Sequence, residues 1–419
     1  MQKKSLMSLG ALCGVPFIMV LGNSMLIPVL PQMKQALDIS QFKVSLAITL
    51  FSIPAGLAIP AAGFLSDRIN RKSIIVPALI TYGLGGVIAG LAAVFLKSYT
   101  LIMAGRILQG IGAAGTAPIA MALAGDIFTS NERSKVLGLL EASNGLGKVV
   151  SPILGSLIGL LAWWAVFFLF PILCIPIALG IWFLVKEPKS QREAKPVKQY
   201  LTTLKMIFEK KGVSLVSAFL AGTTVLFILF GVLFYLSDHL ETKYKIEGVL
   251  KGLILAIPVL AMSTTSYITG IVTQKKSSFF KLLVVAGLFL LSGSMAIVPF
   301  FRDNTYILVG ALVLAGIGTG LVLPCLNTLI TSSCKIDERG MVTSLYGGVR
   351  FFGVAGGPLL FGLLMEKSPT WTFLVPAILA ATVGLINLLF LKQEVLKKSP
   401  AKEEEQDSPD EGEEEQGKG

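Results

Sequence analysis

The chain has 419 residues, 53% of them hydrophobic and 15% charged, with a mean hydropathy of +0.76. Soluble domains run about 45–50% apolar and about 25% charged, so this composition excludes an ordinary soluble enzyme and predicts a membrane protein. The net charge of +11 does not point to nucleic acid. Nine acids gather in residues 401–419, and the 34 basic and 16 acidic residues left over are spread along short loops between apolar runs.

Barrel-type strand alternation is absent, so the spans are read as helices. A helix needs about 20 apolar residues to cross a bilayer, and twelve such runs follow in order. The first six lie near 8–30, 44–65, 74–96, 100–124, 136–159 and 161–185. The second six lie near 212–236, 249–271, 279–299, 305–331, 341–365 and 371–391. The expected organisation is a lobe at 1–185, a basic connecting loop at 186–211, a second lobe at 212–391 and an acidic, disordered tail at 392–419. No cleavage site follows Lys3 and Lys4, so the first run is read as a retained helix.

With both termini on the cytoplasmic side, 23 of the 34 basic residues face the cytoplasm and 8 face outward, as the positive-inside tendency requires. Arg106, Lys148 and Arg350 remain inside spans. Cys13, Cys174, Cys325 and Cys334 are scattered and read as reduced packing residues. No metal-ligand spacing occurs. His239 is the single histidine, and it reads as an interfacial residue rather than a proton switch. Gly147-Lys148 lacks the rest of a phosphate loop.

The chain repeats itself at an offset of 206. Gly110, Gly112 and Pro118 recur as Gly316, Gly318 and Pro324; Glu132-Arg133 as Glu338-Arg339; Gly147 and Pro152 as Gly353 and Pro358. Parallel repeats of this size, with a substrate site between them, are a transporter plan. Arg106, Gln109, Glu141 and Lys148 have Leu312, Ala315, Gly347 and Val354 as counterparts, so the scaffold recurs and the polar groups do not.

Three motifs carry a resemblance. The first is Gly63-Phe64-Leu65-Ser66-Asp67-Arg68-Ile69-Asn70-Arg71-Lys72, with Asn70 where a glycine with positive φ is expected; Asn is the best substitute there. The second is Arg106-Ile107-Leu108-Gln109-Gly110-Ile111-Gly112. The third is the small-residue run Gly138, Gly147, Ser151, Pro152, Gly155, Ser156 and Gly159 of the fifth span, echoed by Gly353, Gly357 and Pro358 in the eleventh. Together they resemble the major facilitator superfamily, in its drug/proton antiporter branch, over the whole chain except the tail.

The resemblance implies an all-α membrane fold of twelve helices in two pseudo-symmetric lobes. It implies a gate made of Asp67, Arg68, Arg71 and Lys72 with Asp126 and Arg133, the last as partner of Asp67. It gives Arg106 a part in proton coupling; a purely structural Arg106, bonded to backbone carbonyls, is the other reading.

Glu141 and Lys148 lie two turns apart, about 10 Å along one helix face. That face is roughly 100–120° from the small-residue stripe, so both should look into a water-accessible space between the lobes, near Arg350. A plain interhelical pair is the alternative.

The expected function is proton-coupled export of an amphipathic organic compound or drug by alternating access. Glu141 would be the proton carrier, with Lys148, Arg350, Gln109, Asn23 and Asn144 lining the cavity. Asn23 stands where drug exporters of this branch carry an acid. With three embedded cations against one acid, an anionic metabolite or siderophore is the alternative cargo, and an importer or facilitator is the rival class. Neither a cofactor nor a metal is expected beyond the proton gradient. The expected partners are a small molecule, protons and the cell-membrane bilayer, for a monomer.

Overall fold

The computed structural model describes residues 3–128, 130–188, 197–275, 279–301, 304–333 and 339–392. The acidic tail, Lys189, Arg192, Lys195, Cys334 and Glu338 lie outside these residues. Helix α1 (Lys3–Ser24) passes through a 3-10 turn at Ile27–Val29 into α2 (Leu30–Leu37). Then come α3 (Gln41–Ser66), α4 (Lys72–Leu91, prolonged by a π turn to Leu96), α5 (Tyr99–Ala114) and α6 (Ala117–Ile127). The first half closes with α7 (Ser130–Gly159) and α8 (Ala165–Leu184). The second half holds α9 (Val197–Tyr244), α10 (Gly248–Lys275), α11 (Phe280–Phe301), α12 (Thr305–Ser332), α13 (Arg339–Lys367) and α14 (Pro369–Phe390).

Among the described residues, eleven segments are long and apolar enough to span a membrane, with α1–α2 and α5–α6 each counting as one broken span. Pro28 and Pro118 sit at the breaks, where a missing N–H and a fixed φ interrupt the helical ladder. The twelfth expected span is α7, and it fails on polarity rather than length. Its 30 residues carry Glu132, Arg133, Lys135, Glu141 and Lys148. It packs between α1 and α10. The helical run of α9 begins at Val197, inside the segment read as a connecting loop. Leu204, Ile207 and Phe208 turn one face of that extension onto the core.

The sequence repeat reappears as a packing repeat. In the first half α1 packs on α7 and α8, α3 on α5, and α4 on α5 and α8. In the second half α9 packs on α13 and α14, α10 on α12, and α11 on α12 and α14. Individual contacts obey the same offset. A Cβ at Gly147 would stand 3.2 Å from the Phe17 carbonyl oxygen, and one at Gly353 would meet the carbonyl of Thr223, 206 residues after Phe17. Gly155 closes on the Met25 carbonyl, whereas their counterparts exchange sizes: Gly231 lies under the ring of Phe361. Close approach through small residues is how membrane helices gain van der Waals contact without a hydrophobic drive.

The halves meet along α3–α13 and α7–α10. Gly56 and Gly348 abut each other's carbonyls, so α3 and α13 cross almost in backbone contact. Gly63 faces Ser344 Oγ nearer one end, and at the other a Cβ at Gly362 would stand 3.2 Å from the Gln41 carbonyl. Between α7 and α10 the tight approach is at Gly252, where a Cβ would stand 2.8–3.0 Å from Pro152, Ile153 and Ser156. Toward the opposite end, Gly138, Gly145 and Gly270 have open space around them. The lobes are therefore closed together at the end carrying Lys251 and parted along α7 and α10 toward the end carrying Asp67.

Candidate transport site

Arg106 lies in α5 with no exposed surface, and every direction around it is filled. Nε donates to the Ala47 carbonyl at 2.8 Å, Nη1 to Gln109 Oε1 at 2.8 Å and Nη2 to Asn23 Oδ1 at 2.7 Å. Its Cζ stands 4.5 Å over the Phe51 ring. Asn23 Nδ2 in turn donates to Ser52 Oγ at 2.7 Å, and Ser52 Oγ to the Ile48 carbonyl. These bonds join α1, α3 and α5 with neutral acceptors only. Asn23 and Gln109, expected in the cavity, are buried in this network. Ser52 was not singled out from the sequence; nothing marks one serine among many in an apolar run.

The small-residue stripe of α7 is used against α1. Gly147 lies on Phe17, Gly155 on Met25 and Gly159 on Val29, while Ser151 Oγ donates to the Gly147 carbonyl one turn back. Gly138, expected among the packing residues, meets nothing within 4 Å. Glu141 is exposed and Lys148 partly so, on a different face of α7, and Asn144 is half-buried beside them. Glu141 and Arg350 are the charged groups that act on Lys148. Arg350 belongs to α13, so the charges acting on Lys148 come from both lobes.

Around Arg350 two residues appear that sequence reading missed. Nη1 donates to Asn327 Oδ1 of α12 at 3.3 Å, and the guanidinium lies 4.5 Å over the Tyr346 ring. Asn327 and Thr328 are exposed on a membrane helix, the polar face that a water-filled space would need.

At the Asp67 end the gate residues divide into separate contacts. Arg71 Nη1 pairs with Asp126 Oδ2 at 3.2 Å. Lys72 Nζ donates to the carbonyls of Trp182 and Val185 at 2.7 and 2.6 Å. Arg68 Nη1 donates to the Phe64 carbonyl at 2.9 Å, with its guanidinium over the Phe64 ring. Asp67 approaches Gly340 at the start of α13, its Oδ2 3.8 Å from where a Cβ would be.

The expected Asp67–Arg133 pair is not among the ion pairs of the described residues. The Arg133 guanidinium lies 3.2–3.5 Å from the Cβ position of Gly125, so the absence of a side chain there leaves room for it against α6. Asn70 is also corrected: the non-glycine residues with positive φ are Asp38, Lys97 and Lys245, and the turn closes by Arg68 N to Leu65 O and Ser73 N to Asn70 O instead. Glu187 was missed. Its carboxylate accepts from the backbone N–H groups of Arg71 and Lys72 at 2.6 and 3.1 Å, capping α4. A lone acid between Lys186 and Pro188 was the available signal.

His239 stacks on Tyr235 at 5.3 Å, its Nδ1 3.4 Å from the tyrosine hydroxyl. Cys13, Cys174 and Cys325 are free thiols. Among the described residues no group of His, Cys, Asp and Glu is arranged to hold a metal.

Comparison with known proteins agrees with this architecture. The chain is 44% identical over 383 residues to the bacillibactin exporter of Bacillus subtilis (strain 168), covering 91% of this chain and 95% of that one. It is 28% identical to the multidrug efflux protein YfmO of the same organism, covering 93% of each. Its fold matches a bacterial homologue of the human lysosomal transporter Spinster with a TM-score of 0.77 at 18% identity, over 94% of this chain and 99% of that one. The family model of the Major Facilitator Superfamily matches residues 12–358 and 287–416. The chain is a multi-pass membrane protein that belongs to the major facilitator superfamily.

Proposed function

We propose that this protein exports an acidic, siderophore-class small molecule across the cell membrane by alternating access, driven by inward proton movement. The observation that carries the reading is the positive charge between the lobes: Arg350, held on Asn327 and over the Tyr346 ring, pairs with no carboxylate among the described residues, and its charge acts on Lys148 of the other lobe, as does that of Glu141. The likeness to a bacillibactin exporter supports the same cargo class. Glu141, exposed on α7, is the proton carrier in this reading, and Arg106 is a structural bolt. The Asp67 end, with its basic loops, faces the cytoplasm together with both termini. The working unit is a monomer without cofactor.

Export of a broader range of amphipathic drugs is the second reading, and the likeness to YfmO favours it. A deletion strain grown in iron-poor medium separates them. The first reading expects siderophore to accumulate inside the cells and fall in the medium, with unchanged drug sensitivity. Glu141→Gln should block proton-driven export while leaving cargo binding. Normal siderophore secretion by the deletion strain would remove this cargo, and reduced uptake would indicate an importer.

A further inference from the structure

Both intramembrane arginines of α5 and α13 lie 4.5 Å over an aromatic ring, yet their edges differ. Arg106 uses Nε, Nη1 and Nη2 on three protein acceptors. Arg350 has one hydrogen-bonded partner, Asn327, and its Nε has none. No carboxylate pairs with Arg350 among the described residues, unlike Lys251, which has Glu241. Glu141, the acid of this space, acts on Lys148. A guanidinium is always charged and offers a rigid planar fork that matches paired oxygens. A fork held in one plane, without its own counter-ion, inside a membrane protein is an incomplete ion pair.

We propose that Arg350 is the anion-recognising group of the cargo site, and that Asn327 and Tyr346 are its positioning residues. This rests on the reading of an acidic cargo and names its chemistry: a planar group with two adjacent oxygens, a carboxylate or a deprotonated ortho-diol, received by Arg350 with Lys148 facing it from the other lobe. Tyr346 fixes the plane of the fork and Asn327 fixes its rotation. The arrangement belongs to the second lobe alone, since the residues 206 positions earlier are Met121, Leu140 and Asn144.

The test uses the purified full chain in lipid nanodiscs, titrated calorimetrically with 2,3-dihydroxybenzoate, which carries both oxygen pairs. Asn327→Asp places a carboxylate on Arg350 at almost unchanged volume and should weaken binding at least tenfold. Asn327→Ala should weaken it only about threefold, and Arg350→Lys about tenfold. Tyr346→Leu removes the ring face under the guanidinium and should weaken binding about threefold. A merely structural role for Asn327 predicts equal losses for Asp and Ala, and that result overturns the proposal. So does undiminished binding by Arg350→Lys, or no measurable binding by the parent.

Siderophore secretion by cells carrying the same variants separates the two readings. Secretion that persists in Arg350→Gln cells overturns the anion site and leaves the export reading standing. Probe binding that depends on Arg350, in a protein that secretes no siderophore, does the reverse.

Discussion

Lys251 and Glu241 form a sealed ion pair, Nζ to Oε2 2.5 Å, and the same ammonium reaches the Pro28 carbonyl oxygen of the first lobe at 2.6 Å. Both side chains are almost wholly buried. Beside them Ser237 Oγ donates to the Ile27 carbonyl, and the Gln41 N–H donates to Glu366 Oε1, so three polar bonds cross the lobe boundary at this closed end. In the proposed alternating access these bonds would break, along with that of Thr49 Oγ1 to the Ala355 carbonyl at 2.8 Å. The ion pair stays within the second lobe; what it does for closure is hold the ammonium in place for Pro28.

Lys251→Met should therefore open this end. Removing one partner of a buried pair costs about 3–5 kcal/mol, because the other charge is left unsolvated, and that cost falls on the closed state. In a cysteine-free background, Ser156→Cys lies at the α7–α10 contact and is buried. A membrane-impermeant maleimide should label it several-fold faster in the Lys251→Met protein. Lys251→Met with Glu241→Leu removes both charges and should label more slowly than the single variant. Equal labelling in all three would show that the bond to Pro28 does not hold the lobes.

Arg106 separates a structural from a coupling role. Hydrogen bonds to charged groups contribute about 1.5–3 kcal/mol each, and Arg106 makes three while covering Phe51. Arg106→Leu should lower the melting temperature and abundance sharply, with KM unchanged in the folded fraction. Arg106→Lys should fall between, since one ammonium cannot span three acceptors in different directions. A protein of normal melting temperature that no longer couples transport to protons would reassign Arg106 to coupling.

The twelve-run pattern was legible because a membrane helix announces itself by length and hydropathy: nine runs match within four residues at each end, while the first extends to Leu37 and the seventh runs from Thr202 to Tyr244. Helix α7 was legible for another reason: its glycines recur in α13 although its charges defeat a hydropathy criterion. The Lys251–Glu241 pair was not legible. The two residues sit ten apart across the turn between α9 and α10, where the sequence shows ordinary loop charges; only the lengths to which both helices extend bury them. Asn327 escaped notice for a similar reason, since its value comes from Arg350 on another helix. The Asp67–Arg133 pair expected from the resemblance is not among the ion pairs of the described residues in this conformation, because a resemblance names residue types and not the conformational state in which two of them meet.

Glu187 makes a local prediction at the gate. Glu187→Gln keeps the shape but removes the charge that caps Arg71 and Lys72 at the start of α4. Loss of such a cap costs about 1 kcal/mol, so amide exchange at residues 71–74 should quicken roughly fivefold with little change elsewhere. Unchanged exchange there would mean that Arg71–Asp126 and the Lys72 contacts hold the helix start unaided.

The glycine contacts predict an ordering among substitutions that otherwise look alike. Alanine in place of Gly353 would drive a Cβ into the Thr223 carbonyl, and in place of Gly316 into the Pro258 carbonyl, against backbone that cannot swing away. Overpacking of this kind costs about 1–3 kcal/mol. At Gly147 the repeat-related gap to Phe17 is wider, 3.2 Å, so Gly147→Ala should be milder than Gly353→Ala even though the two positions are equivalent in the repeat. At Gly138 the Cβ enters open space, and the helix gains about 0.5–1 kcal/mol from the better helix former. Melting temperatures in one detergent should therefore rank Gly138→Ala at or above the parent, Gly147→Ala below it, and Gly316→Ala and Gly353→Ala lowest. If Gly138→Ala fell with the others, α7 would be packed along its whole length in the working protein, and the parting of α7 from α10 would be misassigned.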